Sequence, residues 1–115
     1  MTDRDKGIEM MKKVYGWDVG QPQGDFVEHT IDHLFGEVWS RDVLTIRERR
    51  MLLIGLLVAQ GSDDVVELQL DAALRIGEMT ATELREIALF LTYYAGWPRG
   101  AKLNSIVEKL VAAQG

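Results

Sequence analysis

Apolar residues recur along this chain at three- and four-residue intervals in block after block, and no stretch has the strict alternation of a half-buried strand. From Asp3 to Tyr15 they are Ile8, Met11, Val14 and Tyr15, and Gly16 follows as a stop. A loop bearing glycine and proline, Gly20-Gln21-Pro22-Gln23-Gly24, leads to a second helix. There Val27, Ile31, Leu34, Phe35 and Val38 make one stripe, with a ragged end near Gly36 to Trp39. Thr45 and Glu48 have capping-box spacing and open the most apolar segment, Met51 to Ala59, which is apolar nearly all round and therefore expected to be buried. Ser62, with Asp63 and Asp64 where the helix dipole favours carboxylates, starts a helix that ends at Gly77. Thr80 and Glu83 form a second capping box, Met79 and Leu84 are placed as a hydrophobic staple, and Ile87, Leu91 and Tyr94 continue the apolar face up to Gly96. Pro98 suits the first turn of a last helix with Leu103, Ile106, Val107 and Leu110 inward. The pattern predicts an all-α fold of about six helices.

Composition narrows the picture. A chain of 115 residues, 47% hydrophobic, fits a single domain over residues 1–115 with a small core. A helix as apolar as Met51 to Ala59 needs partners on every side, so self-association is expected. The formal charge of −5 argues against nucleic acid, which demands clustered Lys and Arg; the one basic run is Arg47 to Arg50. The charged start, Met1-Thr2-Asp3-Arg4-Asp5-Lys6, lacks the apolar core of a signal peptide. No window reaches the length of a membrane span, so a cytoplasmic protein with no membrane partner is expected. With no cysteine, disulfides, thiolate metal sites and thiol peroxidase chemistry are excluded.

Two landmarks, Phe35-Gly36-Glu37-Val38-Trp39-Ser40-Arg41 and Tyr93-Tyr94-Ala95-Gly96-Trp97-Pro98, resemble the carboxymuconolactone decarboxylase family within the alkylhydroperoxidase D-like superfamily. The Lys6-Gly7-Ile8-Glu9 helix, the Arg47-Glu48-Arg49-Arg50 run and the Ala72-Ala73-Leu74-Arg75-Ile76-Gly77 helix end fall in the same order. The resemblance implies a helical homo-oligomer, a trimer or a hexamer, with pockets where neighbouring chains meet. It also implies cofactor-free removal of carbon dioxide from a small carboxylated unsaturated lactone. Where the family usually has a histidine, four residues ahead of the second alanine, this chain has Gln69, and the paired cysteines of the redox branch are absent.

Candidate residues follow, each with a plainer alternative. Glu48 corresponds to a glutamate of the redox branch's proton relay, and it also completes a capping box; at a buried interface its pKa would rise enough for acid–base work. Gln69 hydrogen-bonds a carboxylate or lactone oxygen but does not titrate, and the alternative is a solvated helix position. His33, with His29 one turn away, is either a general acid standing in for the missing histidine or a surface residue; without a third ligand no metal is expected. Arg41, Arg47, Arg49 and Arg50 are the natural carboxylate hooks, Arg49 matching the arginine found most regularly in decarboxylase-like members, with a charged helix start as the alternative that accounts well for Arg47 and Arg50. Trp39, Tyr93, Tyr94 and Trp97 are core residues or the walls of a pocket for a small ring. The partner class is a small acid or lactone. A non-catalytic scaffold and a Glu-dependent isomerase or lactone-processing enzyme are the competing classes.

Overall fold

The computed structural model describes residues 2–21 and 23–114, so Met1 of the charged start and Pro22 of the expected loop lie outside it. Six α-helices and one π-helical segment make up the regular structure, and no strand occurs among the described residues, as the periodicity predicts. The chain divides into two compact units, Met1–Arg49 and Arg50–Gly115.

In the first unit, α1 (Asp3–Tyr15) opens on a capping box in which the Asp5 amide donates to Thr2 Oγ1 and the Thr2 amide to Asp5 Oδ2, both at 3.1 Å. It ends at Gly16, whose amide closes on the Lys12 carbonyl. The second helix begins as α2 (Asp25–His29) and then widens into the π-helical segment Thr30–Val38. This corrects the single stripe read from the sequence: Ile31, Phe35 and Trp39 are buried, whereas Leu34 and Val38 are exposed. The reason is the hydrogen-bond spacing. Each carbonyl is reached from five residues on, as when the Trp39 amide donates to Leu34, so positions four apart stay aligned and three-residue steps rotate outward.

α1 and the π-helical segment meet where Gly7 lies against Ile31. A Cβ at Gly7 would stand 2.0 Å from the Ile31 carbonyl oxygen, a backbone atom that side-chain rotation cannot move aside. Gly7→Ala is therefore expected to destabilise the protein by about 1–3 kcal/mol through overpacking, even though alanine suits a helix interior better than glycine. Urea denaturation of the two proteins checks it. Arg4 pins the same crossing, bonding Asp32 at 3.0 Å and Glu28 at 3.2 Å.

In the second unit, α4 (Asp63–Arg75), α5 (Ala81–Ala95), α6 (Trp97–Gln114) and most of α3 (Ile46–Gln60) share one core. Ile54, Val58, Leu70, Leu84, Leu103 and Val107 are at its centre, with Met79 buried beside Leu84 as the staple requires. The Thr80–Glu83 capping box forms, while Ser62 flanks α4 without a side-chain bond. α5 and α6 approach closely where Gly100 faces Thr92, and a Cβ there would meet Thr92 Oγ1 at 2.1 Å. Two expectations are corrected. Met51, Leu52 and Leu56 of α3 are exposed in the single chain, because the core takes only the face carrying Ile54, Leu57 and Val58. Tyr94 is 80% exposed, so the apolar face of α5 turns inward through Leu84 and Ala88 and leaves Leu89, Phe90, Tyr93 and Tyr94 outside.

Candidate active site

The second unit buries one polar cluster in its apolar interior. Arg50, on the first turns of α3 and read from the sequence as a carboxylate hook or part of a charged helix start, is fully buried. Its Nε donates to Glu78 Oε2 at 2.6 Å and its Nη2 to Glu78 Oε1 at 3.3 Å, a forked ion pair. Its Nη1 donates to Gln69 Oε1 at 2.8 Å. Glu78 reaches the guanidinium from the turn between α4 and α5. A buried guanidinium has no acceptor and five donors, so it demands an anion and further oxygen acceptors, and Glu78 and Gln69 supply both.

Gln69 is 3% exposed, which corrects the alternative of a solvated helix position. Its place on α4, between the core residues Val66 and Leu70 and the small Ala72 and Ala73, turns it inward. Its carbonyl oxygen is spoken for by Arg50. Among the described residues no buried side-chain nitrogen or oxygen lacks a partner, and no protein acceptor is paired with Gln69 Nε2. That amide nitrogen thus stays outside the bonds of the cluster.

The other residues singled out in the sequence are placed as follows. In the first unit, Glu48 is exposed and closes its capping box on Thr45, the Thr45 amide donating to Glu48 Oε1 at 2.8 Å and the Glu48 amide to Thr45 Oγ1 at 3.0 Å. The bond from the Thr45 amide first, and then the Thr45 hydroxyl, hold the Glu48 carboxyl below the usual glutamate range. A depressed carboxyl adds stability above its unfolded pKa and loses it as pH falls through the folded one. The stability advantage of the wild type over Glu48→Gln at neutral pH is therefore expected to vanish as the solution is taken below pH 4.5, which denaturation curves at stepped pH measure.

Arg49 directs Nη1 to the carbonyls of Arg41 and Leu44, which leaves its Nε and Nη2 outside those two bonds. Arg41 lines an open groove of about 560 Å³ with Lys6, Lys13, Glu37 and Ser40. His33 is exposed and sits 3.0 Å from Glu37. Trp39 is buried and stacked on Phe35, with ring centroids 5.7 Å apart.

In the second unit Tyr93 and Trp97 meet edge to face at 5.9 Å, and Tyr94 packs on Phe90 at 5.2 Å. Trp97 also borders an open groove of about 450 Å³ along α5 and α6, with Leu89, Thr92 and Asn104. Among the described residues no three of His, Asp and Glu converge as metal ligands, and no helix is long and apolar enough to cross a membrane.

Sequence reasoning missed the burial of Arg50, and it missed Glu78 altogether. The available signal was the spacing of Arg50 and Ile54, which share one helix face, so that Arg50 falls on the side that the core covers. Glu78, between Gly77 and the staple residue Met79, gave no periodic signal at all.

The arrangement defines a cysteine-free, all-helical protein with a buried Arg–Gln–Glu cluster. It belongs to the carboxymuconolactone decarboxylase family, whose model matches residues 24–109. A 4-carboxymuconolactone decarboxylase of Acinetobacter baylyi (strain ATCC 33305 / BD413 / ADP1) is 36% identical over 86 residues, which cover 75% of this chain and 63% of that protein. The chain thus spans less than two thirds of that relative's length. No solved structure matches it.

Proposed function

We propose that the protein is a cofactor-free carboxy-lyase acting on a small carboxylated lactone, with 4-carboxymuconolactone as the first substrate to try. Membership of the family and the similarity to the Acinetobacter decarboxylase support this reading. Within the chain, the observation that carries it is the buried Gln69 amide, whose oxygen is taken by Arg50 and whose nitrogen is paired with no protein acceptor. In the reaction the bond from the ring carbon to its carboxylate breaks, and carbon dioxide leaves. The electron pair moves through the conjugated double bond onto the lactone carbonyl oxygen, and one proton is then delivered to ring carbon. A preformed donor at that oxygen lowers the barrier because it acts where charge develops.

Gln69 is assigned that donor role, and Arg49 and Arg41 hold carboxylate groups through their guanidinium forks. Tyr93, Tyr94, Trp97 and Trp39 are the aromatic candidates for an apolar wall, and Glu48 or His33 is the proton donor. The working form is a homo-oligomer, a trimer or a hexamer, and the exposed Met51, Leu52 and Leu56 of α3 support association.

A second reading, an oligomer that binds a small acid without turning it over, is favoured by one observation. Both proton-donor candidates are exposed and already bonded, Glu48 in its cap and His33 to Glu37. The two separate in a turnover assay with 4-carboxymuconolactone on the wild type, Gln69→His, Glu48→Gln and His33→Gln. Carbon dioxide release by the wild type is expected, with loss in one of the two proton-donor variants. Binding without release in every protein would replace the enzyme by the scaffold.

A further inference from the structure

The buried cluster does more than satisfy its own charges. We propose that Arg50 and Glu78 are positioning residues that lock the Gln69 amide with its oxygen inward and its nitrogen outward, so that the site reads a hydrogen-bond acceptor on the substrate, the lactone carbonyl oxygen. The proposal deepens the decarboxylase reading and rests on it for the identity of the ligand.

An amide side chain has two ends of nearly equal shape, and rotation by half a turn exchanges a donor for an acceptor. At most glutamine positions that choice is open. Here it is closed, because the inner end of Gln69 faces Arg50 Nη1 at 2.8 Å and a guanidinium offers only N–H groups. Turning the amide over would set N–H against N–H inside the core and leave a buried donor on each side unpaired. The guanidinium cannot swing away, since Glu78 holds its Nε and Nη2 by two bonds while Arg50 is fully buried.

The orientation has a chemical consequence. A cationic donor on the carbonyl oxygen draws electron density from the amide and makes its N–H groups stronger donors, the cooperative effect of linked hydrogen bonds in a low-dielectric interior. The outer face of Gln69 is then a polarised N–H pair able to tighten on an oxygen as negative charge accumulates there. A histidine in its neutral form has the same choice of donor or acceptor and also titrates. Gln69 gives up titration and takes a fixed sense instead. A buried ion pair gives little net stability over apolar residues of similar size, so fixing the sense of Gln69 is a reason for its presence that stability does not supply.

The test uses the full chain, with Gln69→Glu and the double variant Arg50→Met with Glu78→Met, which removes both charges together and keeps the core filled. In Gln69→Glu the carboxylate still accepts from Arg50 but presents an oxygen where an N–H stood. With 4-carboxymuconolactone, kcat is expected to fall about 100-fold in Gln69→Glu, with KM changed far less, as for removal of one oxyanion donor. The double variant, folded by circular dichroism, is expected to lose about tenfold in kcat, less than loss of the donor itself. The two Gln69 side-chain amide proton resonances are expected to differ between the wild type and the double variant, because the cationic donor has left the amide oxygen. A folded double variant with wild-type kcat, KM and amide resonances would overturn the assignment. Should the wild type release no carbon dioxide, the decarboxylase reading fails by itself, and the same resonances decide the positioning: 4-carboxymuconolactone that shifts them in the wild type but not in the double variant upholds it, and no shift in the wild type overturns it.

Discussion

Glu78→Ala is expected to lower the unfolding free energy by about 3–5 kcal/mol, the largest single-residue effect in the second unit. It leaves Arg50, fully buried and with no route to water, without the carboxylate it meets at 2.6 and 3.3 Å. The loss is that of a stranded charge rather than of a favourable pair. Replacing Arg50, Gln69 and Glu78 together by methionine or leucine is accordingly expected to restore most of the wild-type stability, and Arg50→Met with Glu78→Met to fall between. That double variant still leaves Gln69 Oε1 without its donor, at a cost of about 1–3 kcal/mol. Urea denaturation of the four proteins at neutral pH measures the series. A Glu78→Ala protein as stable as the wild type would mean that Arg50 reaches solvent or another anion and that Glu78 is not the counter-ion it depends on.

Leu52→Glu combined with Leu56→Glu is expected to turn the proposed oligomer into monomers. Both leucines lie on the outer face of α3, 66% and 54% exposed in the single chain, so the second unit's core does not need them. If a second copy covers them, each contributes about 1.5–3 kcal/mol of burial. Losing both raises the dissociation constant by roughly two to four powers of ten, before the cost of bringing carboxylates into an apolar contact. Light scattering on the eluting protein gives the mass of each form, and circular dichroism confirms that the helices survive. A wild type that already elutes as a monomer would remove the oligomer from the proposed function and leave the apolar face of α3 for another partner.

Helix type, helix ends and most of the inward faces were legible from the chain because they depend on interactions within a few residues. The capping boxes at Thr45–Glu48 and Thr80–Glu83 form where serine- or threonine-to-glutamate spacing placed them, and α6 buries Leu103, Ile106, Val107 and Leu110 as its period requires. The second helix was less legible. Its π-helical stretch changes the angular step, which no list of apolar positions discloses, and so Leu34 and Val38 came out exposed.

Family membership was readable too, since it rests on landmarks in order, and the family model covers residues 24–109. Gln69 was singled out for standing where a histidine was expected. Its surroundings were not readable, because Arg50 lies 19 positions from it and 28 from Glu78, and no local pattern couples residues so far apart. The sequence by itself determined an all-α, cysteine-free member of its family, through periodicity, capping and composition. Only the tertiary structure decided that Arg50 is buried rather than solvated, that Glu78 is its counter-ion and that Gln69 gives its carbonyl oxygen to Arg50. The physical reason is that burial and charge pairing are properties of the space between helices, fixed only when the core closes around them.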